Sequence, residues 1–347
     1  MSGVNGSMAH LSDGLFTTAI ATYTLAMVGY TAEYAFGRVG RTAAEKAAAP
    51  RRQLVGAGGP SVDAPGPSIT RPAKRPMAEK IGRLSVAITA LGLLVQLASL
   101  TIRAVAVDAV PWSNMYEFAS VAGLVAVISF LVVMWRAPQI RHLGGFILLP
   151  VVLLMFLAGT VLYSEAQPLV PALQSYWLAI HVVLISISEG ALMTSAVMTV
   201  LYLIKSRHDR LAVVAAAATA SSADGTTVVP RRGPLTNLAE RLPSAQTLDK
   251  AAYRIVAFSF PLYTVAVICG SIWAEAAWGR YWGWDPKETW AFIGWVIYAC
   301  YLHARATAGW KGNKAAWINL LGFSSITFNF LIINLVVSGL HSYAGIS

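Results

Sequence analysis

Charge is what this chain has least of. Asp, Glu, Lys and Arg make up 12% of its 347 residues, against about 25% in a soluble globular domain. Cysteine is nearly absent. Cys269 and Cys300 both fall inside apolar stretches and form no C-x-x-C, so neither a redox dithiol nor a cysteine-attached group is expected, and both read as small hydrophobes. The first residues, MSGVNGSMAHLSDG, lack a basic n-region and a small-residue cleavage site, so a signal peptide is not expected. The polar stretches hold no nucleotide-binding loop, no zinc spacing and no nucleophile–base pair. Most classes of soluble enzyme are excluded on these grounds.

What the chain does have is hydrophobic residues, at 56%. A helix crosses a bilayer with about 20 largely apolar residues. Eight stretches qualify: 14–36, 84–107, 116–135, 143–162, 176–204, 256–273, 290–308 and 316–340. The fold class is therefore an all-α integral membrane protein of about eight transmembrane helices. The net charge of +10 sets orientation and does not point to nucleic acid. Of the 26 Lys and Arg residues, all but Arg103, Arg280 and Lys287 fall on one side of these spans, the cytoplasmic side by the positive-inside rule. Both termini then lie on the outer face.

The expected organisation follows. Residues 1–36 carry the first span and 37–83 a basic cytoplasmic linker. Helices two to five occupy 84–204, 205–255 form a cytoplasmic loop, and 256–347 hold helices six to eight with an external tryptophan-rich segment at 273–295. The two cytoplasmic stretches are rich in Ala, Pro, Gly, Ser and Thr, lack a hydrophobic period, and read as solvated linkers that touch anionic lipid.

The outer segment Trp278–Trp290 reads WGRYWGWDPKETW, and six of the eleven tryptophans lie between Trp273 and Trp295. An interfacial belt accounts for one or two rings per helix end. It does not account for a run with glycines at 279 and 283, where backbone can approach something flat. Asp285-Pro286-Lys287-Glu288 is a helix start, with an N-cap acid, proline at the first position and glutamate at the third. The rings are thus anchored to a rigid element. A ring platform beside cations suits a planar, anionic, largely apolar ligand, and haem is one.

Haem iron takes axial His or Met. His10, His142 and His208 lie in the tail and cytoplasmic loops and read as solvated. His181, near the outer end of the fifth span, and His341, where the eighth emerges, lie at the depth of the rings and read as iron ligands. His303 sits some thirteen residues into the seventh span, about 20 Å along it. It reads either as a buried neutral histidine or as half of an inner haem site. Glu189, also within a span, reads as a polar contact or a propionate-side group.

The run WGRYWGWDPKETWAFIGWVIYACYLHAR, with PWSNMYEF at 111–118, WLAIHV at 177–182 and GLHSY at 339–343, resembles the haem-handling membrane proteins of cytochrome c biogenesis with a tryptophan-rich WWD motif. The resemblance is to the CcsA (ResC) type of system II and covers about 84–343. It implies a subunit of the system II cytochrome c synthase that presents haem on the outer face for thioether attachment to the C-x-x-C-H of apocytochrome c, and that exports haem as a further expected role. The haem b would be non-covalent and substrate-like. Trp273, Trp278, Gly279, Tyr281, Trp282, Trp284, Asp285 and Trp290 would hold it. His181 and His341 match the outer axial pair, and His303 the intramembrane histidine. A ResB-like membrane subunit, apocytochrome c, a thioredoxin-like thiol reductant and lipid are the implied partners. The membrane would be the bacterial plasma membrane, or the thylakoid. As an enzyme the chain would be incomplete without the ResB-like partner.

Two rival readings are a b-type transmembrane electron-transfer cytochrome and a solute transporter. The first wants paired histidines at two depths, and only His303 is deep. The second often shows internal repeats and broken helices at mid-membrane, and neither is visible in the sequence. The orientation is checked by labelling. A thiol introduced at Gly279 should react with an impermeant reagent from the outer face, and one at Gly225 should not. The opposite pattern would overturn the assignment of sides.

Overall fold

A computed structural model of the protein describes residues 4–48, 77–110, 114–167, 173–221 and 234–341. The described residues are helical, without strands. In order come α1 (Gly6–Ala48), α2 (Met77–Val107), α3 (Met115–Arg136), a 3-10 turn over Pro138–Leu143 and α4 (Gly144–Thr160). They are followed by α5 (Tyr176–Ser221), α6 (Pro234–Ala239), α7 (Ala245–Trp278), α8 (Pro286–Ala306), α9 (Asn313–Phe328), a π-turn over Asn329–Ile333 and α10 (Asn334–Val336). Helix is the form in which a spanning segment satisfies its own backbone polar groups.

Seven helical stretches are long and apolar enough to cross a membrane, which makes this a multi-pass membrane protein. The remaining expected span is α8, with 21 residues, about 30 Å of helix. Its first turn carries Lys287 and Glu288, and its last turn His303 and Arg305, which lowers its mean hydropathy.

Several helices run beyond the expected spans. α1 continues to Ala48 and α5 to Ser221, into stretches read from the sequence as linkers. Both extensions are alanine-rich, RTAAEKAA and LAVVAAAATAS, and alanine is the strongest helix former. A low hydrophobic period removes the drive to pack but not the drive to stay helical. Within the expected linkers, residues 49–76 and 222–233 lie outside the described residues, as do 111–113, 168–172 and the tail 342–347.

α1 and α2 pack along each other, with α4 against α1 and α3. α5 packs on α3, α7 and α9, and α8 on α7 and α9. α5 is the central helix: 61% of its most apolar window is buried, against 28–44% for the other spans. One core joins α1–α4 with the middle of α5 around Tyr23, Phe130, Leu148 and Met155. A second joins α5, α7, α8 and α9 around Val256, Tyr263, Tyr298 and Tyr301.

Polar side chains lock the first core, since lipid tails are as apolar as the helices and give them little reason to associate. Tyr23 donates to Gln96 at 2.7 Å, and Gln96 donates to the Ser120 carbonyl at 2.8 Å, which ties α1, α2 and α3 together. At the end of the bundle where α3 begins, Arg103 is 1% exposed. Its guanidinium donates to Glu117 at 2.6 Å, to Asp13 at 3.2 Å and to the Ser164 carbonyl at 2.5 Å, and it lies 4.7 Å over the Tyr116 ring. Tyr163 donates to the other Asp13 oxygen at 2.8 Å. This one cation joins α1, α2, α3 and the segment after α4.

Breaking a buried pair costs about 3–5 kcal/mol when it leaves a lone charge, and loss of Glu117 leaves Arg103 with only the longer contact to Asp13 as a carboxylate partner among the described residues, so part of that cost applies. Glu117→Ala should therefore lower the unfolding midpoint of the detergent-solubilised chain, and the double change Arg103→Met with Glu117→Leu should recover most of the loss. A midpoint unmoved by Glu117→Ala would show that the pair does not hold this end of the bundle.

Candidate functional site

At the same end of the bundle, α3, α5, α7, α8 and the π-turn enclose a cavity of about 180 Å³. His181 and His341 both line it, with Trp273, Tyr281 and Trp282 among the rings and Glu189, Lys287 and Asn329 among the polar groups. The two histidines expected at the depth of the rings thus share one cavity with three of the expected aromatic residues.

His181 stands in the second turn of α5. Its Nδ1 lies 2.7 Å from the carbonyl oxygen of Ala266 on α7. A carbonyl only accepts, so Nδ1 is the donor, and in the neutral ring Nε2 then keeps its lone pair. Gly270, one turn further along α7, makes this possible: a Cβ there would lie 2.7 Å from His181 Nδ1. The imidazole occupies the space that a side chain at 270 would fill.

His341 follows α10 on an irregular strap. Its Nδ1 lies 3.0 Å from Asp285 Oδ1. Asp285 Oδ1 also accepts from the Lys287 N–H at 3.1 Å, and Oδ2 from the Leu340 N–H at 2.8 Å. Glu288 reaches back to accept from the Asp285 N–H at 3.2 Å and the Gly283 N–H at 2.8 Å, which completes the capping box expected at the start of α8. Burial opposes the Asp285 charge, but the N–H groups of Leu340 and Lys287 and the contact with His341 outweigh it and hold this carboxyl below its usual value. Burial, with the Lys287 charge beside it, pushes His341 down to about 4 despite Asp285. Its imidazole is neutral at physiological pH, the form that binds metals, and its Nδ1–H is given to Asp285. This is the outer-shell arrangement that orients a ligating histidine.

The rings divide by position. Trp273 and Trp278 meet edge-on at 4.8 Å, and both stand edge-on to His341, at 5.7 and 4.9 Å. Gly279 closes α7 with φ +71°, the left-handed conformation that favours glycine at a helix C-terminus. Trp282 and Trp284 meet edge-on at 5.9 Å. Trp284 is 66% exposed and has φ +57°, a region that costs a non-glycine residue about 1–3 kcal/mol and collects at ligand clamps. Trp290 is packed against Phe328 at 4.3 Å and is absent from the cavity lining. His303 is exposed on the surface of α8, away from the cavity.

Gly270, Asn329 and Asn334 are not singled out by the sequence, whereas Lys287 stands there in a helix start and among the three basic residues of the outer side. Lys287 Nζ donates to Asn334 Oδ1 at 2.6 Å, and both residues line the cavity. Glu288 Oε1 and Asn329 Oδ1 are buried without a hydrogen-bond partner among the described residues, and both residues also line it. Buried polar atoms are normally paired, so these two suit a site built to receive something. Two amides five residues apart in an otherwise apolar span were the available signal. Among the described residues no group of three or more His, Cys, Asp or Glu gathers as for a bare metal ion. The described residues instead bring two imidazoles, aromatic rings and the Lys287 ammonium to one cavity.

The fold and cavity define a polytopic helical membrane protein with a histidine-lined, aromatic-walled site. The cytochrome c assembly protein family matches residues 112–341, and the chain belongs to that family. Within it the likeness is to the CcsA type. A protein of Gloeobacter violaceus named cytochrome c biogenesis protein CcsA is 34% identical over 296 residues, covering 76% of this chain and 87% of that protein. The protein of the same name from Microcystis aeruginosa is 37% identical over 262 residues, covering 67% and 79%. That from Synechococcus elongatus is 39% identical over 199 residues, covering 52% of this chain and 61% of the relative's length.

Gly270→Ala forces a methyl group into the His181 ring. Overpacking of this kind costs about 1–3 kcal/mol, and a thermal melt of the purified chain should show it as a lowered midpoint. Gly14→Ala on α1, where a Cβ meets nothing within 4 Å, should leave the midpoint in place. Equal effects would mean that the Gly270 contact is not a constraint.

Proposed function

We propose that this chain is the haem-holding subunit of a system II cytochrome c synthase, with His181 and His341 as the axial pair. The observation that carries the reading is that two histidines from elements far apart in the chain line one cavity, each with Nδ1 engaged and Nε2 left over. Aromatic walls and two imidazoles fit a haem as substrate, and Lys287 gives the site a cation for an anionic ligand.

When bound, haem supplies the two vinyl groups to which the C-x-x-C-H thiols of apocytochrome c add. The work of this chain's residues is positional. His181 and His341 would hold the iron through Nε2, since Nδ1 of each is engaged. Trp273 and Trp278 brace His341, and Trp282 with Tyr281 covers the ring. Asp285 fixes the tautomer and angle of His341. Holding a reactant in place in this way is proximity catalysis. In this reading the site faces the outer side, and apocytochrome c, a ResB-like subunit and a thioredoxin-like reductant are the partners. The exposure of His303 on the surface of α8 supports a role that needs a second ligand from the ResB-like neighbour. Export of haem through the complex belongs to the same proposal.

Visible spectra of the purified chain test the assignment. His181→Ala or His341→Ala should give a five-coordinate or lost haem, and imidazole should restore a bis-imidazole spectrum. Asp285→Ala should weaken haem retention by about 10–100-fold. Trp282→Ala and Trp284→Ala should lower cytochrome c maturation in cells while the protein still inserts. An unchanged spectrum after loss of both His181 and His341 would refute the axial assignment.

A further inference from the structure

Glu189 is an ionisable group of the cavity that the holding of haem leaves unused. It stands about two turns deeper along α5 than His181 and lines the same cavity. Among the described residues it enters no hydrogen bond and no ion pair. Lys287 faces it from α8 at a range where the two charges are felt, but gives its hydrogen bond to Asn334. The other titratable groups within such range are Tyr263 of α7 and Tyr298 of α8, and His181 and His341 share the cavity. α3 contributes Met115 and Phe118 to the lining, and the π-turn Asn329 and Phe330, none of which titrates. An ionisable side chain inside a span is costly to keep and marks function by default.

A line of polar groups leads from Glu189 away from the cavity. Tyr263 lines the cavity, and it meets Ser325 of α9 at Gly294. A Cβ there would lie 3.4 Å from the Tyr263 hydroxyl and 3.8 Å from Ser325 Oγ. Tyr298, one turn further along α8, fills the bare face of Gly322. Next comes Asn319 with Ser195 and Thr199. Last is Asn313, which accepts from Tyr202 at 3.2 Å and from Ser206 at 3.1 Å. Asn313 begins α9, about 24 Å of helix away from Asn329, at the end of the bundle opposite the cavity. In this seam and beside it, Ser186 Oγ, Ser259 Oγ, Tyr298 OH, Ser325 Oγ and Asn319 Oδ1 are buried without a hydrogen-bond partner among the described residues. Buried polar atoms left over in this way are normally met by ordered water.

We propose that Glu189 takes up a proton when iron held in the cavity is reduced, and that water along this seam brings the proton from the opposite end of the bundle. This rests on the haem reading above and adds to it a proton linked to the electron. An electron that arrives at the iron makes an enclosed, largely apolar cavity one unit more negative, and an uncompensated charge is costly in such a place. One proton on a Glu189 carboxylate oxygen offsets it. The step is balanced: one electron comes from a one-electron reductant, one proton comes from water of the seam, and no bond to the iron is made or broken. Glu189 acts through its charge and is not an iron ligand.

Redox titration of the full chain tests this, with the chain purified with haem bound and with any membrane subunit that accompanies it. A pH unit is a tenfold change in proton activity, worth about 59 mV when one proton follows one electron. The midpoint potential should fall as pH rises, approaching that slope over part of the range. Glu189→Gln should abolish the slope, and Glu189→Asp should keep it. The reduced-minus-oxidised infrared spectrum should gain a carboxylic acid carbonyl band that Glu189→Gln lacks. Ser325→Val narrows the seam without touching Glu189. It should leave the slope in place and slow the appearance of that band several-fold after photoreduction by a ruthenium complex. A potential independent of pH, or a slope and band that persist in Glu189→Gln, would overturn the proposal. So would loss of the haem band in Glu189→Gln alone, which would make the carboxyl part of the ligand's hold. An unchanged rate in Ser325→Val would overturn the route. A chain that shows no haem band before titration would instead sink the reading on which this inference rests.

Discussion

The carboxylate of Asp285 accepts hydrogen bonds from Lys287, Leu340 and His341, and the site depends on that convergence. The first bond caps α8 and fixes where the tryptophan segment ends and the helix begins. The other two bring the strap after α10 back over the cavity. The cap of a helix and the anchor of the strap are thereby one group. Any change that shifts the start of α8 shifts His341 with it, so the rings of the 278–284 segment and the histidine opposite them keep a fixed relation. Glu288 reinforces the point from the other direction by holding the backbone of Gly283 and Asp285.

Behind that junction the bundle is held by polar contacts between helices. The Arg103 cluster gathers α1, α2, α3 and the segment after α4 at the cavity end. Asn114 caps α3 there, accepting from the Glu117 N–H at 3.0 Å, and Asn114, Met115 and Phe118 line the cavity. One face of the site is therefore positioned by a buried ion pair some way from it. Deeper along α5, Asn319 of α9 donates to Ser195 at 3.0 Å and Thr199 at 2.7 Å. These bonds hold α9 at a fixed height on α5, and through α9 they set the level at which the π-turn meets the cavity.

Features that are local in sequence were legible before the fold. Long apolar runs announced the spans, and Asp285-Pro286-Lys287-Glu288 announced the cap, because a capping box is written in four adjacent residues. The gathering of His181 and His341 beside the tryptophans was legible through their shared depth. Partnerships across the chain were not. Nothing in the sequence ties His341 to Asp285, or His181 to the carbonyl of Ala266 and the bare Gly270, since these depend on how α5, α7 and α8 pack. Trp290 illustrates the limit. It lies in the same aromatic run as Trp282, yet four residues into α8 the helical rotation has turned it onto Phe328. The alanine-rich extensions of α1 and α5 were read as linkers because they lack a face to bury. Their alanine content favours helix all the same.

The π-turn at Asn329–Ile333 has a consequence for spacing. A turn closed by i to i+5 bonds carries one residue more than an α-turn, and each residue of an α-helix rotates the chain by about 100°. The extra residue acts as a phase shift between α9 and all that follows. It lets α9 keep its Asn319 face on α5 while Asn334 is aimed at Lys287 and the strap leaves toward Asp285. Remove one residue there, and the two halves of this final helix can no longer both be in register: either Asn319 or Asn334 must face the wrong way.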